Sequence, residues 1–427
     1  MRVTILAIGS RGDVQPMLAL GLALGARGHE VRVAALDPFA ELVRERGLDF
    51  ASLGPLPAGF TRRIGPLRVP EFTGVIGRAL FWAVYGRLLE RRLAALAGAS
   101  EGADALVFGG LAFPAAFLAE ARNIPCYWAS PTPHTATAEF ADPFFAEGRW
   151  ASATAAIRRR TYGIEASLRS LGCAGVLARL RRALGLPTVP IHRLAGHLEE
   201  TLTGVLYAAS RHLLERPREW PEKVQITGAF DLPPAPGWTP PPAIAAFLAA
   251  GPRPIYVGFG TMNERDPARL GRLALDALAR VGGRGILGGL GLTGAALPPW
   301  ALAVDDVPHA WLFEEIALAV HHGGAGTCAA AARAGIPSVV APQAYDQFFW
   351  AERMHRRGVA GPPLPHRELR AERLAAAIRA GLESGPQRAA ARALRAAVLA
   401  EDGATTAAST IARDLRRGSA SVQEALP

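Results

Sequence analysis

The chain has 427 residues, of which 50% are hydrophobic and 20% are charged. This length suits two domains, each large enough to bury a core. No apolar run reaches the ~20 residues of a membrane span, and no secretory signal precedes the strand pattern that starts at Arg2, so we expect a cytoplasmic protein. Three widely spaced cysteines without a C-x-x-C pair argue against disulfides and a zinc site.

The net charge of +10 comes almost entirely from arginine, since Lys223 is the sole lysine. The arginines recur singly along helical patterns, and no block of them alternates with aromatic residues, which argues against a nucleic-acid partner. A solvent-exposed face explains most of them. For the clusters at 158–160 and 179–182 a second interpretation stays open, weak peripheral contact with anionic membranes.

The N-terminal half alternates short apolar runs with helical patterns, which is typical of a parallel sheet covered by helices. The first strand ends in the turn Gly9-Ser10-Arg11-Gly12-Asp13, and a helix is predicted from Met17. Further strands are predicted over 30–35, 49–53, 104–108, 124–128, 201–209 and 224–227.

Aromatic side chains are concentrated in two irregular helical stretches, 59–96 and 131–186. Two interpretations stay open for them, core packing and the wall of an apolar acceptor pocket. The residues proposed for such a pocket are Phe72, Phe81, Trp82, His134, Phe140 and Phe144.

Six prolines between Asp231 and Pro242 mark the clearest break in the chain. They end a first domain, predicted over 1–232, and form a linker over 233–242. Alternation of strands and helices then restarts and predicts a second domain over 243–395. A disordered tail is predicted over 417–427.

The segment His321-His322-Gly323-Gly324-Ala325-Gly326-Thr327 joins a predicted strand to a predicted helix. Its glycines let the backbone approach a ligand, and the first amides of the helix lack partners within it, so we predict an anion site. Asp346-Gln347 follows the next strand, at the sheet edge where open α/β sheets bind ligands. The absence of a Walker lysine and of G-x-G-x-x-G argues against an NTPase and against a nicotinamide oxidoreductase.

The pairing of this segment with Asp346-Gln347 resembles the donor-binding signature of the family 1 UDP-glycosyltransferases, in the branch of sterol glucosyltransferase-like and bacterial natural-product enzymes. Gly-Ser-Arg-Gly-Asp-Val-Gln-Pro at 9–16 resembles the N-terminal signature of that branch. The resemblance implies an α/β protein with the GT-B fold, in which two Rossmann-like doubly wound domains face each other across a cleft. It also implies that a C-terminal helix, over 396–416, returns to the first domain.

By this resemblance the protein is expected to be an inverting hexosyltransferase that moves glucose from UDP-glucose to a hydroxyl of a lipophilic acceptor, such as a sterol or a macrolide. It would need no metal or other cofactor and would act as a monomer or dimer. The alternatives are a TDP-deoxysugar-dependent macrolide or polyketide glycosyltransferase and a non-catalytic nucleotide-sugar-binding protein.

The resemblance also assigns roles to residues. Asp13 would be the base, although its position alone favours an N-cap. Plant-type relatives use a histidine paired with an aspartate that follows a later strand. Here the corresponding strand ends at Phe108 and no carboxylate follows it, so Asp13 would act alone. Hydrogen-bond donors are needed around the departing diphosphate, because negative charge develops on it. The diphosphate would be bound by Ser10, Thr261, His321, Gly323, Gly324, Gly326 and Thr327. The nucleobase would contact Val307 and His309, and the sugar hydroxyls would contact Asp346 and Gln347.

Overall fold

A computed structural model describes residues 1–56, 74–147, 152–260 and 267–424, and in addition 63–64 and 67–68. For 63–64, 67–68 and 418–424 it describes the backbone alone. Phe72 and Thr261, two of the predicted site residues, lie outside the described residues.

The first domain is built on a parallel sheet. Its strands are β1 (Arg2–Ala7), β2 (Glu30–Ala35), β3 (Asp49–Ser52), a separate antiparallel pair β4 (Arg63–Ile64) and β5 (Leu67–Arg68), β6 (Ala105–Phe108), β7 (Cys126–Ser130), β8 (Gly204–Tyr207) and β9 (Val224–Ile226). Among the described residues, seven of these strands form one sheet in the order β3-β2-β1-β6-β7-β8-β9, and each neighbouring pair is parallel. Strands β6 and β7 are buried along their whole length, as expected when helices cover both faces of a parallel sheet.

Helices cover this sheet. They are α1 (Arg11–Gly25), α2 (Ala40–Arg44), α3 (Gly74–Glu90), α4 (Leu93–Ala99), α5 (Ala115–Arg122), α6 (Ala155–Ala183) and α7 (Leu194–Glu200). The two longest, α3 and α6, pack against each other so closely that a Cβ on Gly86 or Gly172 would lie 2.5 Å from backbone atoms of the other helix. Small residues at this crossing therefore fix where the aromatic side chains of α3 lie.

The second domain repeats the arrangement with five parallel strands. They are β10 (Ile255–Gly258), β11 (Gly285–Gly288), β12 (Ala301–Val304), β13 (Leu318–His321) and β14 (Ser338–Val340), in the order β12-β11-β10-β13-β14. Its helices are α8 (Pro242–Ala249), α9 (Pro267–Val281), α10 (His309–Leu312), α11 (Ala325–Ala334), α12 (Gln347–Arg356), α13 (Ala371–Glu383) and α14 (Gly385–Leu399). Strand β12 was not predicted, because its four residues alternate too little to give a pattern.

The carboxyl ends of the two sheets face each other. Arg11, which follows β1, forms an ion pair with Asp306, which follows β12. Thr132, which follows β7, donates a hydrogen bond of 2.7 Å from its hydroxyl to Asp346, which follows β14. Loops at strand ends from both domains thus meet in one cleft.

The last helix, α15 (Gly403–Glu424), returns to the first domain and packs against α1. Ala408, Ile411 and Leu415 are buried in the same core as Leu18. The helix runs to Glu424 and so overlaps the tail predicted over 417–427. Extending a helix that packing already holds costs little, because each further residue adds a hydrogen bond.

The described residues include no helix that is long and apolar enough to cross a membrane.

Candidate active site

The turn after β1 places Asp13 inside the first turn of α1. The helix begins at Arg11, six residues before the predicted start, with Ser10 as its N-cap. The backbone N–H and the hydroxyl of Ser10 both donate to Oδ2 of Asp13, at 2.7 and 2.9 Å. Asp13 is therefore not the N-cap, and the Ser10 hydroxyl lies against its carboxylate.

Gly9 makes room for this carboxylate. A Cβ at this position would lie 2.2 Å from Oδ2 of Asp13, and the backbone has a φ of +150°. No other residue fits between β1 and the side chain of Asp13 without displacing it. The carboxylate is thereby held in one place at the cleft.

Burial raises the pKa of Asp13, the hydrogen bonds from Ser10 oppose that rise, and the nearby carboxylate of Asp346 adds to it. A carboxylate with a raised pKa is a stronger base near neutral pH. Asp13 of the first domain and Asp346 of the second lie within electrostatic range of each other.

On the opposite side of the cleft, β13 ends at His321 and α11 begins after its N-cap Gly324. Gly323 has a φ of +91°, and a Cβ there would lie 2.9 Å from the carbonyl oxygen of Gln347. A Cβ on Gly326 would meet nothing within 4 Å. The N–H groups of Ala325 and Gly326, the first of α11, have no carbonyl to bond within the helix, whereas that of Thr327 donates to the carbonyl of Gly324 at 3.0 Å. Thr327, in the same turn, is buried.

The side chain of His321 is fully buried, and its Nδ1 accepts a hydrogen bond of 3.2 Å from the N–H of Gly323. Because Nδ1 accepts, the ring proton is on Nε2. That atom has no hydrogen-bond partner among the described residues. Burial lowers the pKa of His321 to about 3, so the ring is neutral. The site therefore holds a buried N–H donor beside a helix N-terminus, an arrangement that suits an anionic oxygen.

Two further histidines lie nearby. Burial lowers the pKa of His322 to about 4, and a Cβ on Gly260 or Gly324 would lie within 2.7 Å of its ring. Burial likewise lowers the pKa of His309 to about 4; its Nε2 lies 3.1 Å from the hydroxyl of Tyr256. The ring of His309 is thus engaged with the core of the second domain.

The predicted sugar-binding pair lies at the start of α12. Asp346 accepts hydrogen bonds from Thr132 at 2.7 Å and from Nε1 of Trp350 at 3.1 Å, and burial raises its pKa. Oε1 of Gln347 accepts from the backbone N–H groups of Gln343 and Ala344, at 2.8 and 3.2 Å. Gln347 therefore shapes the loop, and Asp346 stands where the two domains meet.

Aromatic side chains of the predicted acceptor pocket surround a buried arginine that the sequence analysis missed. Arg78, on α3, is 2% exposed and pairs with Glu165 on α6. Its guanidinium lies 4.8 Å from the ring centre of Phe81 and 4.2 Å from that of Phe144. A single arginine on a helix gives no sequence signal for burial, so this pair could not have been predicted.

The predicted acceptor residues divide by burial. Phe81, Trp82 and Phe140 are buried, which agrees with core packing. Phe144 and His134 are partly exposed, and their rings lie 4.6 Å apart. Tyr345 reaches Phe144 from the second domain at 5.7 Å and has a φ of +57°, a strained value for a side chain of this size.

Among the described residues, no group of three or more His, Cys, Asp or Glu side chains is placed to hold a metal ion. At the turn between β13 and α11, the described residues offer backbone amides, the Thr327 hydroxyl and the neutral imidazole of His321 as hydrogen-bond donors.

Residues 3–141 match the family described as Glycosyltransferase family 28 N-terminal domain, and residues 274–413 match Erythromycin biosynthesis protein CIII-like, C-terminal domain. The chain is 32% identical over 443 residues to a sterol 3-beta-glucosyltransferase of Arabidopsis thaliana, covering 100% of this chain and 68% of the relative. It is 33% identical over 421 residues to the O-mycaminosyltylonolide 6-deoxyallosyltransferase of Streptomyces fradiae, covering 95% and 96%. It spans only 30% of a sterol 3-beta-glucosyltransferase of Penicillium rubens, at 32% identity over 431 residues.

Solved structures confirm the predicted fold. The calicheamicin glycosyltransferase superposes with a TM-score of 0.71 at 20% identity, covering 98% of this chain and 99% of that one. The spinosyn rhamnosyltransferase complexed with thymidine diphosphate gives 0.64 at 21% identity, covering 96% and 100%. The fold and the cleft thus define a GT-B glycosyltransferase. The chain belongs to the family 1 type of these hexosyltransferases, in the group of the sterol and macrolide glycosyltransferases.

Proposed function

We propose that the protein is an inverting, metal-independent glycosyltransferase that moves glucose from UDP-glucose to a hydroxyl of a lipophilic acceptor. The observation that carries this proposal is the buried, neutral His321, whose Nε2–H lies beside the N-terminus of α11 and has no partner in the part of the chain that the structure describes. A diphosphate leaving group develops negative charge, and these donors match that charge without a metal ion.

The diphosphate would lie over the turn at 323–327. Gly323 and Gly324 bring the backbone close, the open space at Gly326 admits the ligand, and Thr327 adds a hydroxyl. The second domain thus supplies the groups that stabilise the leaving group. Thr261 belongs to the same proposal by resemblance. The Ser10 hydroxyl would act through Asp13 instead, since it already donates to that carboxylate.

Asp13 would take the proton of the acceptor hydroxyl. Its raised pKa and its fixed position support a general base, which typically contributes a factor of about 10²–10⁴ to the rate. The acceptor oxygen would attack the anomeric carbon on the side opposite the diphosphate. The configuration at that carbon would therefore invert.

Asp346 would accept hydrogen bonds from sugar hydroxyls, as it already does from the hydroxyl of Thr132. This favours a hydroxylated hexose, and the sterol 3-beta-glucosyltransferase relatives favour glucose. Gln347 would hold the loop in the binding conformation. Val307 and His309 would lie next to the nucleobase, at the edge of the second sheet.

A second candidate has a specific observation in its favour. The Streptomyces fradiae relative is named a 6-deoxyallosyltransferase, and a structural neighbour was solved with thymidine diphosphate. A TDP-deoxysugar donor with a macrolide or polyketide acceptor would use the same diphosphate turn. The two donors differ in the transferred sugar, in the ribose 2′-hydroxyl that thymidine diphosphate lacks, and by one methyl group on the base. An apolar pocket discriminates that methyl group weakly.

The test is product detection by mass spectrometry. Purified protein is incubated with UDP-glucose or TDP-sugars and a pool of sterols, flavonoids and macrolides, with and without EDTA. We expect a glucosylated product that EDTA does not affect. Asp13→Asn should lower its rate by about 10²–10⁴, while the exposed Asp276→Asn, a matched control, should not. Use of a TDP-sugar alone would replace the donor assignment. Donor binding without any turnover would show a non-catalytic binding protein.

A further inference from the structure

The guanidinium of Arg78 is buried, but only part of its hydrogen-bonding capacity is used. Its Nε donates to Oε2 of Glu165 at 3.1 Å, and its Nη2 donates to the other oxygen of the same carboxylate. Its Nη1 is buried and has no hydrogen-bond partner in the part of the chain that the structure describes. Both N–H groups of Nη1 are therefore free to bind a ligand oxygen.

The Glu165 carboxylate cannot satisfy Nη1 as well. Besides the two bonds from Arg78, it accepts a bond of 2.8 Å from Nε1 of Trp82. Turning the carboxylate towards Nη1 would break bonds that it already accepts. A buried N–H group without a partner is unfavourable and rare in native proteins, so its presence on a charged side chain calls for an explanation. A ligand that supplies the missing oxygen is one.

Aromatic rings surround the guanidinium, and some of them reach solvent. The ring centres lie between 4.2 and 5.5 Å from its Cζ atom and belong to Phe81, Trp82, Phe144 and Tyr345. Phe81 and Trp82 are buried, whereas Phe144 and Tyr345 are partly exposed. A ligand therefore approaches Nη1 on the side of Phe144 and Tyr345, whose rings have to move aside for it.

This cluster lies on the acceptor side of the cleft. Tyr345 directly precedes Asp346, the residue proposed to bind the sugar. Tyr85, about two turns further along α3 than Arg78, stacks with Phe81 at a centroid distance of 6.0 Å and lies within electrostatic range of Asp13. Aromatic side chains thus line α3 from Arg78 towards the proposed base.

The indole of Trp128, on β7, holds a second unsatisfied donor. Trp128 is 5% exposed, and its Nε1 has no hydrogen-bond partner among the residues that the structure describes. Its ring stacks on that of His134 at 5.9 Å with an interplanar angle of 3°, and the His134 ring lies 4.6 Å from that of Phe144. The same aromatic cluster therefore offers two N–H donors to a ligand, which suits a molecule with several oxygen atoms.

The charges around Arg78 favour a neutral ligand. Glu165 already balances the guanidinium, and the carboxylate of Asp142 lies close by, since it accepts from the N–H of Phe144 at 2.9 Å. An anionic group at Nη1 would add a buried charge with no cation left to compensate it, which is strongly unfavourable. A carbonyl or hydroxyl oxygen accepts from Nη1 without that penalty.

We propose that Arg78 determines acceptor specificity, because its Nη1 binds a neutral carbonyl or hydroxyl oxygen of the acceptor other than the hydroxyl that is glycosylated. This inference rests on the proposed function and narrows its acceptor to a lipophilic molecule with at least one further oxygen. Phe144 and Tyr345 contact the apolar body of that molecule. A sterol whose sole oxygen is the reacting hydroxyl leaves Nη1 unsatisfied, so it is a poorer acceptor than a steroid or polyketide that also carries a carbonyl.

The experiment compares hydroxysteroids that differ only at the end of the ring system remote from the hydroxyl, where they carry a ketone, a methylene or a carboxylate group. A macrolide lactone is included as a second carbonyl-bearing probe. Tryptophan fluorescence measures the Kd, and mass spectrometry measures kcat/KM with the nucleotide sugar that the wild type consumes. The wild type should favour the ketone over the methylene analogue by about 10–100-fold in both quantities, as expected of a hydrogen bond from a charged group. The carboxylate should bind most weakly.

The double variant Arg78→Met/Glu165→Gln removes the donor together with its counter-charge, so no buried charge is left uncompensated, and the ketone-to-methylene ratio should fall to about one. Glu165→Gln alone keeps Nη1 and should keep the ratio, even where it lowers the Tm. Arg87→Met, at an exposed arginine of the same helix, is the matched control. A purely structural role of Arg78 would weaken both analogues alike and leave the ratio unchanged.

Equal binding of the ketone and methylene analogues by the wild type, or a wild-type ratio in the double variant, would overturn this inference and leave the proposed function intact. Failure of the wild type to bind either the keto steroid or the macrolide lactone would overturn it too. The predicted Kd ratio without turnover of any donor would refute the proposed function, while the binding role of Arg78 would stand.

Discussion

Individual residues at the cleft are fixed by close contacts rather than by the long loops that carry them. Gly9 and Gly323 are the clearest cases, since an added Cβ would strike the Asp13 carboxylate at one and the carbonyl of Gln347 at the other. His321 is fixed by burial and by the N–H of Gly323. The base and the diphosphate turn therefore each depend on a glycine, since a larger residue at either position would displace the group it contacts.

Gly9→Ala tests whether the glycine fixes the position of the Asp13 carboxylate. The new Cβ would push the carboxylate off both of its hydrogen bonds from Ser10, so we expect a loss of about 1–3 kcal/mol in stability. We also expect a fall in kcat close to that of Asp13→Asn. Urea denaturation and product formation measure the two effects. Gly25→Ala, at the last residue of α1 and with open space around it, should be neutral or stabilising. An equal loss of stability at both positions would contradict this explanation.

Glu165→Gln tests the buried ion pair. Removing one charge leaves the Arg78 guanidinium uncompensated, which costs about 3–5 kcal/mol at buried pairs. Chemical denaturation measures the loss. The same substitution at Glu90, in an exposed pair with Arg179, should have no measurable effect. Wild-type stability in Glu165→Gln would mean that the pair is not buried in solution.

The contribution of the Arg78–Glu165 pair to stability should fall as the pH falls. Burial alone raises the pKa of Glu165, but the charge and hydrogen bonds of Arg78 hold it below the ordinary 4.5. A depressed carboxyl pKa stabilises the fold above pH 4.5, and that contribution disappears as the pH falls through the folded-state pKa. Glu165→Gln should therefore reduce the difference in stability between pH 5 and lower pH.

At the scale of helices and strands, α15 is the element that joins the end of the chain to its beginning. Ile411 is fully buried against the core around α1. Arg27 of the first domain donates to the Ser409 hydroxyl at 2.7 Å and to the carbonyl of Thr405 at 3.1 Å. The C-terminal helix thus belongs to the packing of the first domain.

Ile411→Ala should destabilise the protein by about 2–5 kcal/mol, and Ile411→Val by about 1 kcal/mol, because each removes buried methyl groups and leaves a cavity. The loss should appear in the unfolding of the first domain. Hydrogen exchange at the amides of α1 measures it. A loss confined to amides of the second domain would contradict the packing described here.

The strand and helix pattern of both domains could be predicted because apolar runs and glycine turns are local signals. The start of α1 could not, since Pro16 resembles a helix start and in fact lies inside the helix. Strand β12 was too short to detect. The glycine turn after β13 was predicted from its local sequence, whereas the Arg78–Glu165 pair depends on tertiary contacts that no spacing reveals.

At the scale of the whole molecule, His309, His321 and His322 link stability to pH. Burial lowers the pKa of His321 to about 3 and those of His309 and His322 to about 4, from an ordinary 6.5. Below pH 6.5 the unfolded chain binds protons that the folded protein does not, so their contribution to stability falls as the pH falls towards 4.

His321→Asn should flatten this dependence. Between pH 7.5 and 5.5 the wild type should lose about 1 kcal/mol more stability than the variant, because one histidine no longer takes up a proton on unfolding. Urea denaturation at the two pH values measures the difference. His192→Asn, at an exposed histidine, should keep the wild-type slope; the same slope in His321→Asn would mean that His321 is not buried as a neutral ring.

In the proposed mechanism, the first domain supplies the base, Asp13, and the second supplies a diphosphate site that needs no metal, both at the bond that is broken. The most direct test measures nucleoside diphosphate release from the donor that the wild type consumes, with EDTA, for wild type and Asp13→Asn, together with the Kd for that donor. We predict an EDTA-insensitive kcat that falls by about 10²–10⁴ in Asp13→Asn while the donor Kd is unchanged. A kcat that EDTA abolishes, or one that Asp13→Asn leaves at the wild-type value, would contradict it.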